Sequence, residues 1–501
     1  MMNNMKTIHT TLSRIVLVLC VAASLTGCED FLTENPESTY TTETFYTSQT
    51  DFEYAIAAVY AEQQDLYDGQ YGLLRMNNTR SDDTDCDDFN TYSDGYATFT
   101  DNAAVQATRE IYASLYVMIN RSNSILMRID GVEFTNPTLK NYIKGEALAL
   151  RGWAYHTLGM LFGGVPLIVD VELTAVETRQ VGRSSQEETF AQAVDDYQQA
   201  YELLPAAWET DKAGRVTKYA AKAMEGRLCM FRKEYTAAKE ALSKVIQSGL
   251  YAMADTYDKC FHSAYENQPL NDRVWEIQYI GGQLGEGQEF SEISLQEDTS
   301  SPWNFVRGSS AALNASSDLI ADIEEGDLRQ EFAMVNNLSI KGSIDDRYFF
   351  IKFNHTDYTP QSTTDWDVNL PIIRYTDVVM MYAEAVNELE GPTTEAVAII
   401  NQVRGRAGLA HLTAAQTASK DALRTAIKHE RRIEFAYEGL RWNDLIRWND
   451  GVTVMNKFFQ ASDEGNGQYK VEGEWRYIYA IPQEEITRYG DTTKMWQNPE
   501  Y

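Results

Sequence analysis

Residues Glu430 to Trp448 read ERRIEFAYEGLRWNDLIRW, a run that sets arginine and glutamate among aromatics. Glu430, Glu434 and Glu438 recur every four residues, so on a helix they share one face, with Arg431, Arg432, Arg441 and Arg447 near enough to pair with them. Phe435, Tyr437, Trp442 and Trp448 mark the run as interior. Two chemistries fit its charges. His429, Glu430 and Glu434, one helical turn apart, could converge on a metal ion or form an acid/base set. Alternatively, each carboxylate is neutralised by an arginine within a turn, which is how buried charges are usually tolerated. The second reading accounts for every carboxylate in the run, and the stretch is read as a structural helix.

Helical patterning extends outward from it. Val378, Val379, Tyr382, Ala385, Val386 and Leu389 form one stripe that Gly391-Pro392 stops, and Ala396, Ile399, Ile400 and Val403 form the next, with Gly408 after it. So short a link makes the two helices antiparallel neighbours. From Tyr251 to Asp367 the pattern changes to strand and loop. Trp275, Ile277 and Tyr279 alternate with Glu276 and Gln278 as a half-buried strand, an irregular region runs from Gly281 to about Ser317, and Tyr348 to Ile351 is a short apolar run. Further back, helices are expected near Asp51, over Ile111 to Ile129 and over Leu139 to Phe162. Another should open on the capping box Ser185-x-x-Glu188 and close at Pro205. Thr217 to Leu250, with Gly226, Ala238, Leu242 and Val245, approximates a degenerate tetratricopeptide helix pair. Tyr67 to Ala103 keeps no period, and insertions of that length are usually functional or disordered.

The chain has 501 residues and a formal net charge of −31, which argues against nucleic acid and anionic lipid as partners because phosphate contacts need clustered Lys and Arg. Aromatics make up 12%, including 30 Tyr, a composition suited to sugar or peptide faces. Lys6 and Arg14 precede an apolar run from Ile15 to Ala23, then Leu25-Thr26-Gly27-Cys28, which reads as a signal peptide over residues 1–27. Leu-x-Gly-Cys resembles a bacterial lipobox, in which Cys28 becomes the acylated first residue and several acyl chains anchor firmly. Residues 28–50, acidic and then Thr-rich, have tether composition. With Cys20 in the signal and Cys28 on lipid, Cys86, Cys229 and Cys260 make no disulfide framework.

Further blocks carry a resemblance. Tyr112, Tyr116 and Asn123, Arg151-x-x-Ala154-Tyr155, and Leu161-Phe162-Gly163-Gly164-Val165-Pro166-Leu167 resemble the N-terminal half of the SusD/RagB family of Bacteroidota outer-membrane lipoproteins. The C-terminal half resembles it in Pro371 to Tyr375, Met381 to Ala385, Ile400 to Leu409, Glu430-Arg431-Arg432-x-Glu434, Glu438-Gly439-x-Arg441-Trp442-x-Asp444-Leu445, Ile481-Pro482 and Gln497-Asn498-Pro499. Leu440 and Asn443 depart from the residues common there, at positions without functional weight. The resemblance implies a mainly α, SusD-like fold with four degenerate tetratricopeptide-like helix pairs and a loop-rich, minor-β ligand-binding lobe. It divides into an N-terminal helical region at 51–270 and a C-terminal region at 271–501. It implies a lipid-anchored protein of the outer membrane, facing the exterior, that captures oligo- or polysaccharide for a SusC-like TonB-dependent transporter.

Those blocks are scaffold, so ligand contacts are sought in the loops Tyr67 to Ala103 and Gly281 to Ser317. Sugar rings stack their C–H faces on aromatics, and a few Asn, Asp, Gln or Arg side chains fix the hydroxyls. The candidates are Tyr92, Tyr96, Phe99, Trp303 and Phe305, with Arg80, Asn90 and Asn304; the other reading is that these aromatics only pin the loops to the body. Asp83-x-Asp85-x-Asp87 has the oxygen spacing of a calcium loop. Asp88 stands where its turn needs Gly, and Asp94 where a bidentate Glu would close it, which leaves a looser calcium site or a solvated acidic loop. No other cofactor is expected. A peptide- or other-nutrient-binding protein of the same architecture is the alternative. A hydrolase ranks last, because the six His show no H-E-x-x-H, G-x-S-x-G or Cys-His metal spacing.

Overall fold

The computed structural model describes residues 45–68, 72–86, 95–268, 271–290, 313–340, 343–461 and 467–501. Ser48–Tyr501 forms one compact unit, so the regions at 51–270 and 271–501 share one body. Its frame is a train of helices: α1 (Gln49–Asp68), α2 (Leu73–Thr79), α3 (Gln106–Arg128), α4 (Pro137–Phe162), α5 (Gln186–Leu203), α6 (Lys218–Phe231) and α7 (Tyr235–Gln247). Strand β1 (Thr84–Cys86) lies between α2 and α3. α1 packs on α3, α4 on α5 and α6 on α7. These are three of the four expected pairs.

Local sequence explains where these helices begin and how closely they pack. Ser185 accepts the Glu188 N–H while the Glu188 carboxylate takes the Ser185 N–H, which is the expected capping box. Along α4, Gly145, Gly152 and Gly159 recur every seven residues and face α5. A Cβ on them would sit 2.8 Å from Leu204 Cγ, 3.0 Å from Asp196 Cβ and 2.5 Å from Phe190 Cε1. The two helices can approach this closely only along a seam without side chains. Arg151 rises from the same helix to bind Asp196 (2.7 Å) and Asn123 (2.7 Å), tying α4 to α5 and α3.

The second half interleaves short strands and helices: β2 (Arg273–Ile277), β3 (Leu313–Ala315), α8 (Ser317–Asp322), α9 (Leu328–Ala333), β4 (Met334–Val335), β5 (Leu338–Ile340), β6 (Ser343–Asp345), β7 (Phe349–Phe350) and β8 (Leu370–Arg374). The sheets are small and antiparallel: one has the order β1-β3-β7-β4, and β2-β8 and β5-β6 are two-stranded. β2 is buried on both faces rather than half-buried, because Glu276 is neutralised by Arg273 at 3.0 Å. Six helices follow among the described residues: α10 (Tyr375–Glu390), α11 (Thr394–Arg406), α12 (Lys420–Glu434), α13 (Arg441–Arg447), α14 (Gly451–Ala461) and α15 (Gln483–Tyr489). α10 and α11 form the fourth pair, and α10 also packs on α7, which joins the two halves. Met380, Val386, Ile400, Leu423 and Ile427 fill the core between α10, α11 and α12.

Two expectations need correction. Glu430 to Trp448 is not one helix: α12 ends at Glu434, and the chain turns through Tyr437 (φ 67°) and Gly439 (φ 71°) before α13. Glu438 is therefore off the helical face that Glu430 and Glu434 share. Its carboxylate instead meets Arg374 (2.8 Å) and Lys352 (2.6 Å), while the Tyr437 ring is stacked between Phe350 and Phe290. Tyr67 to Ala103 is also less irregular than expected. It holds α2, whose Leu73, Leu74 and Met76 are buried, and β1.

Candidate functional site

The two segments expected to carry the ligand start from one place on the body. β1 and β3 pair antiparallel, with Thr84 opposite Ala315, Asp85 opposite Asn314 and Cys86 opposite Leu313. Cys86 leads into residues 87–94 and Leu313 follows residues 291–312, so register partners form the two roots. The far root of the second segment is held as well. The Asp68 carboxylate at the end of α1 accepts the N–H groups of Glu289 (2.6 Å) and Phe290 (2.8 Å). Burial pushes the Asp68 carboxyl up to about 8, against the two donors. Phe290 stacks on Tyr437, so this root rests on the turn between α12 and α13.

The same region of the C-terminal half clamps the β1–β3 junction electrostatically. Arg432 of α12 reaches Asp83 (2.8 Å), Asp82 (3.0 Å), Asp318 (2.8 Å) and Asp322 (3.1 Å), and Arg441 of α13 takes Asp82 (2.7 Å). One guanidinium thus joins the turn before β1 to the helix after β3. Burial disfavours the charged form of Asp82, but Arg441 and Arg432 outweigh it and hold its carboxyl below the usual range. On Asp83 burial prevails and the carboxyl lies above that range.

Of the expected contact residues, Arg80, Tyr96 and Phe99 lie in the interior, at 0%, 4% and 3% exposure. Arg80 pairs with Asp101 and lies 3.9 Å over the Tyr479 ring and 4.6 Å over that of Phe99. Tyr96 bonds Thr108 (2.6 Å) and meets Tyr479 edge-on, and Phe99 packs on Trp442 and Phe459. As placed, these three fasten the first loop to the body and offer no face to a sugar. The expectation of direct contact is corrected for them, because partners from the far end of the chain cover them. Tyr92, Asn90, Trp303, Asn304, Phe305, Cys28 and Asp87 lie outside the described residues. Asp83 is committed to Arg432 and Asp85 to the β1 strand, so a calcium loop would need Asp83 released from that arginine.

The glutamates of the opening stretch belong to a buried Arg–Glu network. Glu434 contacts Arg374 (3.0 Å), Arg329 (3.2 Å) and Arg406, and Glu430 contacts Arg329 (2.7 Å) and Arg404 (3.0 Å). Burial opposes ionisation of Glu434, and its arginines overcome that to hold the carboxyl well below the usual range. Glu324, His429 and Glu430 do offer ligand atoms within 4.8 Å of one another. Arg404 bridges Glu324 and Glu430, so the space a cation would take is already neutralised. Sequence reasoning missed Arg432 and Asp68 as supports of the site. Arg432 was visible only as one of several arginines, and Asp68 as one acid among many.

Comparison with known proteins matches residues 335–501 to a family model described as "SusD family" and residues 30–230 to one described as "Starch-binding associating with outer membrane". SusD-like protein P38 of Formosa agariphila is 26% identical over 492 residues, covering 88% of this chain and 92% of that protein. A SusD homolog from Bacteroides thetaiotaomicron superposes with a TM-score of 0.78 at 20% identity, covering 92% of this chain and 98% of its own. A solved structure described as a "Laminarin binding SusD-like protein" gives 0.74 at 23%, covering 91% and 100%.

Proposed function

The chain belongs to the SusD/RagB family, and on that premise we propose that it is a cell-surface lipoprotein that captures oligo- or polysaccharide and delivers it to a SusC-like TonB-dependent outer-membrane transporter. The observation that carries this reading is the β1–β3 pairing, which roots the two segments richest in candidate sugar contacts at one braced position. The laminarin that one similar structure is described as binding, and the starch named by the family model, support a glycan as the ligand class. The net charge of −31 favours a neutral glycan over an anionic one.

The protein binds without cleaving. Glycoside hydrolysis needs two carboxyl groups free to act as acid and as base or nucleophile. The buried glutamates of the central network are instead fixed by arginines, in keeping with a structural role. A polysaccharide retained by the purified protein should be recovered with no new reducing ends; turnover that Glu430→Gln abolished in a folded protein would overturn this reading.

Cys28 carries the anchor, and the acidic, Thr-rich residues after it have the composition of a tether. Among the described residues no helix is long and apolar enough to cross a membrane. Cys28→Ala should move the protein from the membrane to the soluble fraction; a variant that stayed membrane-bound with a different mature N-terminus would exclude the lipobox. A tethered binder holds a nutrient but does not move it, so transport falls to the barrel. The pair should bind more tightly than the lipoprotein alone, because contacts then come from both sides. The two should co-purify from mildly solubilised outer membranes. Recovery as a free monomer, with uptake unaffected by deletion, would refute the partnership.

A further inference from the structure

A second groove lies where the C-terminal half of α1, the connection from α5 to α6 and strand β2 meet. It has two clefts, of about 380 and 330 Å³, which share residues 213–215 and Glu276 as a common wall. Each lies in the range of about 300–1,000 Å³ of small-ligand sites. Gly214 (φ 85°) forms the crest between them. A Cβ there would lie 2.2 Å from Gln278 Cγ, so only glycine lets this strap pass over the strand.

The lining has a particular chemistry. On one side stands half-buried Trp208, held by its indole N–H to the Val216 carbonyl (2.9 Å), with Tyr142 edge-on and the Arg215 guanidinium over its ring at 5.7 Å, which leaves the opposite face for a ligand. Amides line the clefts: Gln278 is held by Asn267 (2.8 Å) and Glu276 (3.2 Å) and Gln64 donates to the Gln278 carbonyl (2.9 Å), while Gln63, Gln268 and Asn271 are the amides offered to a ligand. Gln63 is only 2% exposed, yet among the described residues its Nε2 donates to nothing. A buried donor without an acceptor is costly, and one at the wall of a cleft points to an acceptor supplied from outside. The charged groups of the floor are already satisfied. Arg215 is paired with Glu146 (3.3 Å), and Arg273 with Glu276 (3.0 Å) and Glu266 (3.1 Å). The remaining charges on the rim, Glu209 and Glu286, are acidic and exposed.

We propose that this groove is a second saccharide site, taking a short neutral oligosaccharide whose ring packs on Trp208 and whose hydroxyls bond the amides, Gln63 among them. Amides match vicinal hydroxyls because each offers a donor and an acceptor, and an indole face suits the C–H face of a sugar. Among the described residues the floor holds no unpaired cation for a uronate or sulfate, and the acidic rim repels one. The site would hold a second stretch of the same polymer, adding avidity to the loop site. Its test does not depend on that site.

Label the full chain, in mild detergent, with 5-fluorotryptophan, assign the Trp208 resonance by its loss in Trp208→Phe, and titrate with laminarihexaose, maltohexaose, cellohexaose, xylohexaose and trigalacturonate. At least one neutral hexamer should shift Trp208 saturably at millimolar concentration, and should do so equally in Trp303→Ala, in which the loop site is impaired. Gln63→Leu, which fills the same space without the donor, should weaken that response about fivefold. No shift with any neutral hexamer, a shift with trigalacturonate alone, or loss of the shift in Trp303→Ala would each overturn the proposal. The Trp303 resonance reports the loop site separately.

Discussion

Arg374→Met should destabilise the fold by about 3–5 kcal/mol, a large part of the total stability of a typical domain. Arg374 is fully buried and bonds three carboxylates at once: Asp272 (2.6 Å), Glu434 (3.0 Å) and Glu438 (2.8 Å). These come from the segment before β2, from α12 and from the turn after it. The guanidinium also lies over the rings of Phe435 (4.9 Å) and Phe261 (5.0 Å). Methionine would keep much of the packing but leave three carboxylates out of water with too little positive charge. Arg374→Lys should rescue little, because a single ammonium cannot reproduce a fork aimed at three groups. Removing an exposed pair such as Arg488–Glu484 should change stability by less than about 1 kcal/mol. Urea denaturation measures all three variants. Equal midpoints for Arg374→Met and the Arg488 variant would mean that the network does not hold the two halves together.

Arg432→Gln should cost glycan affinity about tenfold or more, by loosening the roots of the loops proposed to bind the glycan rather than by removing a contact. Its guanidinium is shared by Asp82 and Asp83 before β1 and by Asp318 and Asp322 in α8. Without it Arg441 still pairs with Asp82, but Asp83, Asp318 and Asp322 lose their shared guanidinium and repel one another. Hydrogen exchange should show β1 and β3 amides losing protection while those of α4 and α5 keep it. Unchanged affinity, or exchange rising uniformly across the chain, would show that Arg432 does not brace the site.

The helical frame was legible because its signals are local. The stripe on α10, the Gly391-Pro392 stop and the Ser185–Glu188 box each lie within one or two turns of chain. The α4 glycine seam was equally visible but carries a different message in isolation, since three glycines read as weak points until α5 is known to lie against them. The four-residue rhythm of Glu430, Glu434 and Glu438 misled, because it is also what results when a helix and the turn after it both aim carboxylates at arginines from β8 and α11. Site residues were harder. Arg80, Tyr96 and Phe99 have the composition of sugar contacts, and only Asp101, Trp442 and Tyr479 reveal them as loop anchors; the last two are hundreds of residues away. The pairing of β1 with β3 joins three-residue strands from opposite halves of the chain, too short for any period to show.

The central claim is that residues rooted at the β1–β3 junction hold a glycan. Affinity gel electrophoresis of the native protein, Trp303→Ala and Tyr92→Ala through gels containing laminarin, starch and other neutral polysaccharides tests it most directly. At least one polysaccharide should retard the native protein, and Trp303→Ala should run freely in it at an unchanged melting temperature. That matches loss of a stacked aromatic contributing about 1–3 kcal/mol. Native protein that no polysaccharide retards, or variants retarded as strongly as the native chain, would contradict the account.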